Sequence, residues 1–338
     1  MRVVLDGMGG DNAPMEIVKG AVEAAELIDD EIIIVGREEE IRKELRKNKY
    51  KGDRISIVNA NDVITMEDSP VKAIRRKTDS SLVVALNMIK NGEGDLLISG
   101  GNTGALVVGS RMILGRIDGI DRPVLASAYI NFAGEPTIIV DAGASSESKT
   151  VNLVESGLMG SIYMEKVWGR PNPKVGLVNL GVEETKGTTV TKEAFQKLKK
   201  ADINFVGNIE GREVPSGAAD VIVCDGFVGN VILKLSEGLA MCILKMLKQE
   251  FMSSGKTKIA GLLMKNRIEG MKEQFNYEEY GGAPVLGVNG PVLKIHGSST
   301  SMAVKNAIVK GIPYAGNKVV DIIRQAILDL QEDIEIEV

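Results

Sequence analysis

The chain has 338 residues, 44% of them hydrophobic and 26% charged, which suffices for a large core in one domain or two lobes. Its 41 Lys and Arg against 46 Asp and Glu leave a net charge of -5, so no overall basic field recruits nucleic acid. Two cysteines (Cys224 and Cys242) and a single histidine exclude a disulfide scaffold and a Cys/His metal cage, so neither metal nor cofactor is expected.

The opening "MRVVLDGMGG" enters a strand-like run and a glycine turn rather than a signal peptide. No uninterrupted apolar run reaches the roughly 18 residues of a membrane span, so the chain reads as cytoplasmic. In chain order, apolar runs predict strands at 2–6, 31–36, 54–58, 95–100, 137–142, 174–180, 203–209 and 221–226. Helical periodicity fills 13–28, 37–48, 80–90, 103–114, 148–168 and 188–200 between them, with Pro14 suited to a first helical turn. Such alternation predicts an α/β fold, a mostly parallel sheet with helices on both faces. No internal repeat is found, and residues 1–338 read as a single unit of one or two lobes, with "GRPNPK" (169–174) the best candidate boundary.

Thirty-eight glycines exceed the usual share of about 7%. Many follow the predicted strands, in "DGMGGDNAP" (6–14), "SGGNTGA" (99–105), "DAGASS" (141–146), "NLGVEETKGT" (179–188), "GNIEGRE" (207–213) and "DGFVGN" (225–230). Ligands of open α/β sheets gather beyond strand carboxyl ends, so six polar turns are expected to line one rim. "GMGGDN" is one glycine short of a dinucleotide fingerprint, and Glu250 stands where a P-loop before "SSGKT" needs glycine. "GGNTGA" and "HGSST" instead each join a strand to a helical pattern, where free N–H groups bind phosphate or where Ser and Thr simply cap the helix. A lone histidine beside a glycine turn, as His296 is, is more often structural than catalytic, and no G-x-S-x-G elbow accompanies it.

"DGMGGDNAP", "SGGNTGAL", "LVNLGVEETKGT", "GNIEGRE", "VCDGFVGNVILKLSEG" and "KIHGSS" together closely resemble the PlsX family, bacterial phosphate acyltransferases, from residue 1 to beyond 310. The family's usual D-A-M-G-G-D opening reads DGMGGD here, a change expected to matter little. The resemblance implies a fold related to phosphotransacetylases and to isocitrate and isopropylmalate dehydrogenases. It implies transfer of a fatty acyl group from acyl carrier protein to inorganic phosphate, giving acyl phosphate for phospholipid synthesis. It further implies a homodimer at the inner membrane surface, supplying a membrane glycerol-3-phosphate acyltransferase.

For that chemistry "HGSST" is expected to cradle phosphate or the oxyanion through Gly297, Ser298 and Ser299, with His296 an orienting donor or an acid toward the leaving thiolate. Gly100, Gly101, Asn102, Thr103 and Gly104 are expected to supply a second anion-binding turn, and Gly9, Gly10, Asp11 and Asn12 are further candidates for binding phosphate. Lys186 and Lys234 are candidate cations; Asp225 and Asn230 are candidates for holding the catalytic geometry. Asp6, Asp11, Asp225 and Glu210 are read chiefly as organising their loops.

One stretch stands apart. Residues 231–252 and 256–275 read as an amphipathic helix pair, the second with apolar positions at 259, 262, 263, 268, 271 and 275. Residues 253–272 carry five basic residues against Glu269 alone, which suits a dimer contact, acidic lipid or an acidic carrier protein. Ile259, Leu262 and Leu263 are the expected lipid contacts. The alternatives are a phosphotransacetylase-like enzyme acting on acyl-CoA, a disfavoured isopropylmalate-type dehydrogenase, and a membrane-bound scaffold without catalysis, which would not need the glycine turns.

Overall fold

The computed structural model describes residues 1–274 and 277–336. The first half runs β1 (Arg2–Asp6), α1 (Met15–Ala25), β2 (Glu31–Gly36), α2 (Glu38–Lys47), β3 (Ile55–Asn59), α3 (Pro70–Arg76), α4 (Ser81–Lys90), β4 (Leu96–Ser99) and α5 (Thr103–Gly109). The chain then crosses through β5 (Val124–Ile130) and β6 (Pro136–Val140) into α6 (Thr150–Trp168), β7 (Val175–Asn179), α7 (Thr189–Lys200), β8 (Phe205–Glu210) and β9 (Val221–Val223). Two long helices follow, α8 (Gly226–Met252) and α9 (Gly255–Gln274). The chain returns as β10 (Ala283–Leu286), β11 (Val292–Lys294), α10 (Ser301–Gly316) and α11 (Val319–Ile336).

The strands form one sheet in the order β3-β2-β1-β4-β11-β10-β5-β6-β9-β7-β8. β3, β2, β1, β4 and β11 are mutually parallel, as are β6, β9, β7 and β8. Between the two sets, β10 is antiparallel to β11 and to β5, and β5 is antiparallel to β6. The two parallel sets therefore run in opposite directions. This corrects the expectation of a single rim: carboxyl ends from both sets can meet only near the centre, where the direction reverses. The segment 169–174 is an α6–β7 connection, entered through Gly169 at φ 67°.

Alternating strand residues sort onto the two faces. Val3, Leu5, Ile32, Ile34, Leu96 and Ile98 join the cluster under α1, α6, α7, α10 and α11, which continues across both halves through Ile138, Val140, Val221 and Val223. On the opposite face Val4, Ile33, Val35 and Leu97 pack with α3, α4 and α5. A separate cluster there holds Tyr129, Ile139, Ile222 and Cys224 against the start of α8. The face is thus divided, and a cleft opens between its two clusters.

Beyond its first turns α8 leaves the body. An 18-residue window of it has mean hydropathy 1.6 and is 6% buried, so this helix is long and apolar enough to cross a membrane. The expectation that nothing spans a membrane looked for an unbroken apolar run, and Lys234, Glu237 and Lys245 interrupt this helix, which passes by mean hydropathy and length. α9 turns back on it, with Gly261 against Phe251. Ile259, Leu262 and Leu263 are 65%, 73% and 78% exposed on α9. Phe275, the last apolar position of the expected pattern, lies outside the described residues.

Candidate active site

Three glycine turns nest at the carboxyl ends of β1, β4 and β11. A Cβ on Gly9 would stand 2.8 Å from the Gly101 nitrogen, and one on Gly10 would stand 2.9 Å from the Gly297 carbonyl oxygen. Gly10 is also held at φ 117°, which other residues rarely adopt. The Asp11 N–H donates to the Gly297 oxygen at 2.8 Å, and Asn12 Nδ2 to the Ser298 oxygen at 3.4 Å. Even Gly7 is constrained, since a Cβ there would lie 2.8 Å from the Val35 oxygen; it is not the indifferent position the sequence suggests. Beneath the turns Asp6 is 2% exposed and accepts from Ser81 Oγ at 2.5 Å and Ser99 Oγ at 2.7 Å. Burial raises its pKa, while the two hydroxyls and Lys294 pull it back.

The facing wall is built on Asp141, 1% exposed at the end of β6. Its Oδ1 accepts from the N–H groups of Leu125 (3.2 Å), Gly143 (3.0 Å) and Ala144 (2.9 Å). Its Oδ2 accepts from the N–H and the hydroxyl of Ser145, both at 2.9 Å. The start of α8 presses on this loop: a Cβ on Gly226 would lie 2.1 Å from the Ser145 oxygen, and one on Gly229 would lie 1.9 Å from the Asp141 oxygen. Asp225 caps α8 by accepting from the Val228 N–H at 2.8 Å. Asn230 stands over Gly143, whose hypothetical Cβ would meet it at 3.5 Å.

The two walls enclose a cleft of about 560 Å³. Of the residues expected at the site, Thr103, Asn230, Lys234, His296 and Ser299 line it. Gly9, Gly10, Asp11, Asn12, Gly100, Gly101, Gly104, Gly297, Ser298 and Asp225 stand behind them and shape the turns. Asn102 is committed: its Oδ1 caps α5 from Ala105 N, and its Nδ2 donates to the carbonyls of Thr65, Met66 and Asp68. Lys186 lies apart, exposed on the loop after β7, where Asn179 Nδ2 donates to its carbonyl at 3.1 Å. β9 separates that strand from the cleft-forming β6, so the 179–188 and 207–213 turns do not join the lining. Glu210 caps the turn after β8, its own N–H donating to Glu213 at 2.8 Å.

His296 Nδ1 accepts from the Ser298 N–H at 3.2 Å and lies 2.8 Å from Ser298 Oγ. Burial, with Lys234 and Lys294 nearby, lowers its pKa, so the ring is neutral at pH 7 and carries its proton on Nε2. Lys234 pairs with Glu237 at 2.8 Å, the next turn of the same helix. Cys224 is buried beside the Asp141 carbonyl and its thiol is pushed well up, so no thiolate nucleophile stands here. Among the described residues no cluster of three His, Cys, Asp or Glu is placed to hold a metal.

Sequence reasoning passed over Lys294 and Asp141. Lys294 closes the three-residue strand β11, lines the cleft and is only 8% exposed. A lysine ending an apolar strand immediately before "IHGSS" was the available signal. Burial draws its pKa down to about 8, against the opposing pull of Asp6 and Asp11.

The fold is shared with solved phosphotransacetylases: one from Streptococcus pyogenes matches with TM-score 0.65 and 18% identity, covering 94% of each chain. The EutD phosphotransacetylase from Staphylococcus aureus matches with TM-score 0.60 and 16% identity over 93% of this chain and 94% of its own. Among curated relatives, a phosphate acyltransferase from Alkaliphilus oremlandii is 51% identical across 98% of this chain and 99% of its own. A second, from Clostridioides difficile, is 48% identical across 98% of both. A family model described as "Fatty acid synthesis protein" matches residues 1–321. With these matches spanning nearly its whole length, the chain belongs to that family, the PlsX family whose motifs it carries.

Proposed function

We infer that the chain is a phosphate acyltransferase, moving a fatty acyl group reversibly from the thioester of acyl carrier protein to inorganic phosphate. The observation that carries this reading is the cleft itself. The first turn of α8 and the 296–299 turn before α10 face each other across about 560 Å³, lined by serine and threonine hydroxyls and the ammonium groups of Lys234 and Lys294, with no cysteine among the lining residues. A site so built binds an anion and leaves the attack to that anion.

Phosphate is substantially dianionic near neutral pH, with a second pKa of roughly 6 to 7, and needs no general base. Held beside the thioester, its oxygen attacks the carbonyl carbon; a tetrahedral oxyanion forms, the C–S bond breaks, and acyl phosphate and thiolate leave. The thiolate, with a conjugate acid near pKa 8.5 by analogy with cysteine, departs readily, so the neutral His296 serves through Nε2–H as an orienting donor. The gain lies in position and in exclusion of water, which would otherwise hydrolyse both thioester and mixed anhydride.

The enzyme acts as a cytoplasmic homodimer resting on the membrane surface, and passes its acyl phosphate to a membrane glycerol-3-phosphate acyltransferase. Support comes from α8 and α9: an exposed apolar flank, the bare tip at Ile259, Leu262 and Leu263, and the surplus of lysine along 253–272. Acyl phosphate trapped with hydroxylamine, formed only when orthophosphate is present and faster from acyl carrier protein than from acyl-CoA, tests the reaction. Turnover indifferent to orthophosphate overturns it, and preference for acyl-CoA returns the donor to the phosphotransacetylase type. Flotation with anionic vesicles tests the surface: an Ile259, Leu262, Leu263 to Ser variant that still floats removes the tip.

A further inference from the structure

We propose that Lys294 supplies the fixed positive charge that holds the attacking phosphate, making it the residue that sets affinity for inorganic phosphate. The inference deepens the reaction proposed above and rests on it. Lys294 is more than nine-tenths buried, yet it lines the cleft. Among the described residues its ammonium makes a single hydrogen bond, to the carbonyl oxygen of Ile295. An ammonium carries three donors, so two are left for a cleft ligand. Asp6 attracts the ammonium through space, but its two carboxylate oxygens accept from Ser81 and Ser99, and among the described residues no direct ion pair joins it to Lys294.

The placement is enforced from below. Lys294 is paired across the ladder with Ser99 of β4 and with Ala283 of β10. Ser99 in turn anchors Asp6 and accepts from the Gly101 N–H at 3.1 Å. One charged strand end is thereby tied to all three glycine turns. The other cleft cation, Lys234, is exposed and already paired with Glu237, and so offers a weaker, screened charge.

Burying an ammonium costs free energy unless it is paired, and an anion entering the cleft supplies that pairing. Free Lys294 releases its proton near pH 8, so the charge is present below that pH and lost above it. Asp6 and Asp11 oppose that loss; Lys234 and Glu237 on α8, and neutral His296, complete the titratable groups around it. Bound phosphate raises the lysine pKa by the same linkage.

The chemistry recognised is a phosphoryl anion, with two sources in this reaction: free phosphate and the phosphodiester of the carrier's pantetheine arm. Steady-state kinetics of Lys294→Met and Lys294→Arg, with orthophosphate and acyl carrier protein varied separately, tell them apart. Lys294→Met is expected to raise the KM for phosphate roughly ten- to a hundredfold while moving the donor KM less than about threefold. Wild-type kcat/KM for phosphate should fall above about pH 8. In Lys294→Arg that alkaline limb should move beyond pH 10, because guanidinium keeps its proton. An unchanged phosphate KM in Lys294→Met, a rise confined to the donor KM, or an alkaline limb that ignores the arginine overturns the assignment, while wild-type turnover stays phosphate-dependent and the reaction proposed above stands. A variant merely misfolded would lower activity at every phosphate concentration and leave the pH profile of its active fraction unmoved, which also counts against it.

Discussion

Asp141→Asn isolates the wall on which α8 leans. The carboxylate accepts five hydrogen bonds, three on Oδ1 and two on Oδ2. An asparagine keeps Oδ1 but turns an NH₂ toward Ser145. The Ser145 hydroxyl can rotate and accept; its backbone N–H cannot, and an amide left facing a donor costs about 1–3 kcal/mol. The three bonds on Oδ1 pass from charge-assisted to neutral, weakening by about 1 kcal/mol each. A neutral amide is easier to bury than a carboxylate, which offsets part of that loss. The net expectation is a destabilisation of about 3 kcal/mol, read from urea unfolding followed by circular dichroism at pH 7. Because residues 142–146 line the cleft, phosphate turnover should fall in the same variant under conditions where it remains folded. A stability change below about 1 kcal/mol would refute the reasoning, for it would mean that the loop holds its shape without the carboxylate.

Two glycines of one helix should respond oppositely to alanine. Gly229→Ala drives a methyl to 1.9 Å from the Asp141 oxygen and should cost about 3 kcal/mol or more, whereas Gly238→Ala meets nothing within 4 Å and should stabilise by up to about 1 kcal/mol; thermal melts compare them. His296→Gln should lower kcat by less than about tenfold, since the ring is neutral and a thiolate leaves unaided; a loss beyond about a hundredfold in hydroxylamine-trapped product would make it an obligatory acid. Glu155, 2% exposed, is pushed up to about 7 by burial from an ordinary 4.5. Between those values the folded chain keeps a proton that the unfolded chain has released, so stability falls as pH rises through the window and the penalty is complete above 7. Glu155→Gln should therefore exceed the wild type in unfolding free energy by about 1–3 kcal/mol at pH 8 and by less at pH 5.5, and a gain independent of pH would count against the assignment.

What could be read from the chain and what could not divide along physical lines. The strands β1, β2 and β4 are apolar on both faces and are bounded by glycine, so period and length identify them to within a residue or so. β10 and β11 have four and three residues, and β10 contains Pro284, which argues against a central strand because it cannot donate to the ladder. They are nevertheless central, and with β5 they reverse the sheet. That reversal decided which glycine turns could meet. Turns after β1, β4, β6, β9 and β11 converge from two opposed parallel sets, whereas those after β7 and β8 lie outward, taking Lys186 with them. A strand's direction is a property of its neighbours, not of its own residues, so no count of glycine motifs could reveal it.

The same blindness hid the charge. The sequence marks Lys186 and Lys234 within glycine-bearing motifs and gives Lys294 no such prominence. Only pairing between β4 and β11 sets Lys294 against Ser99, at the floor shared by three turns. A phosphate site made of amides alone would bind with little dependence on pH above 7, once the phosphate is dianionic. One with a buried ammonium at its floor must weaken as that group loses its proton. The alkaline limb of phosphate affinity therefore separates a cradle made of backbone from one completed by a side chain, and the proposal for Lys294 stands or falls on finding the second.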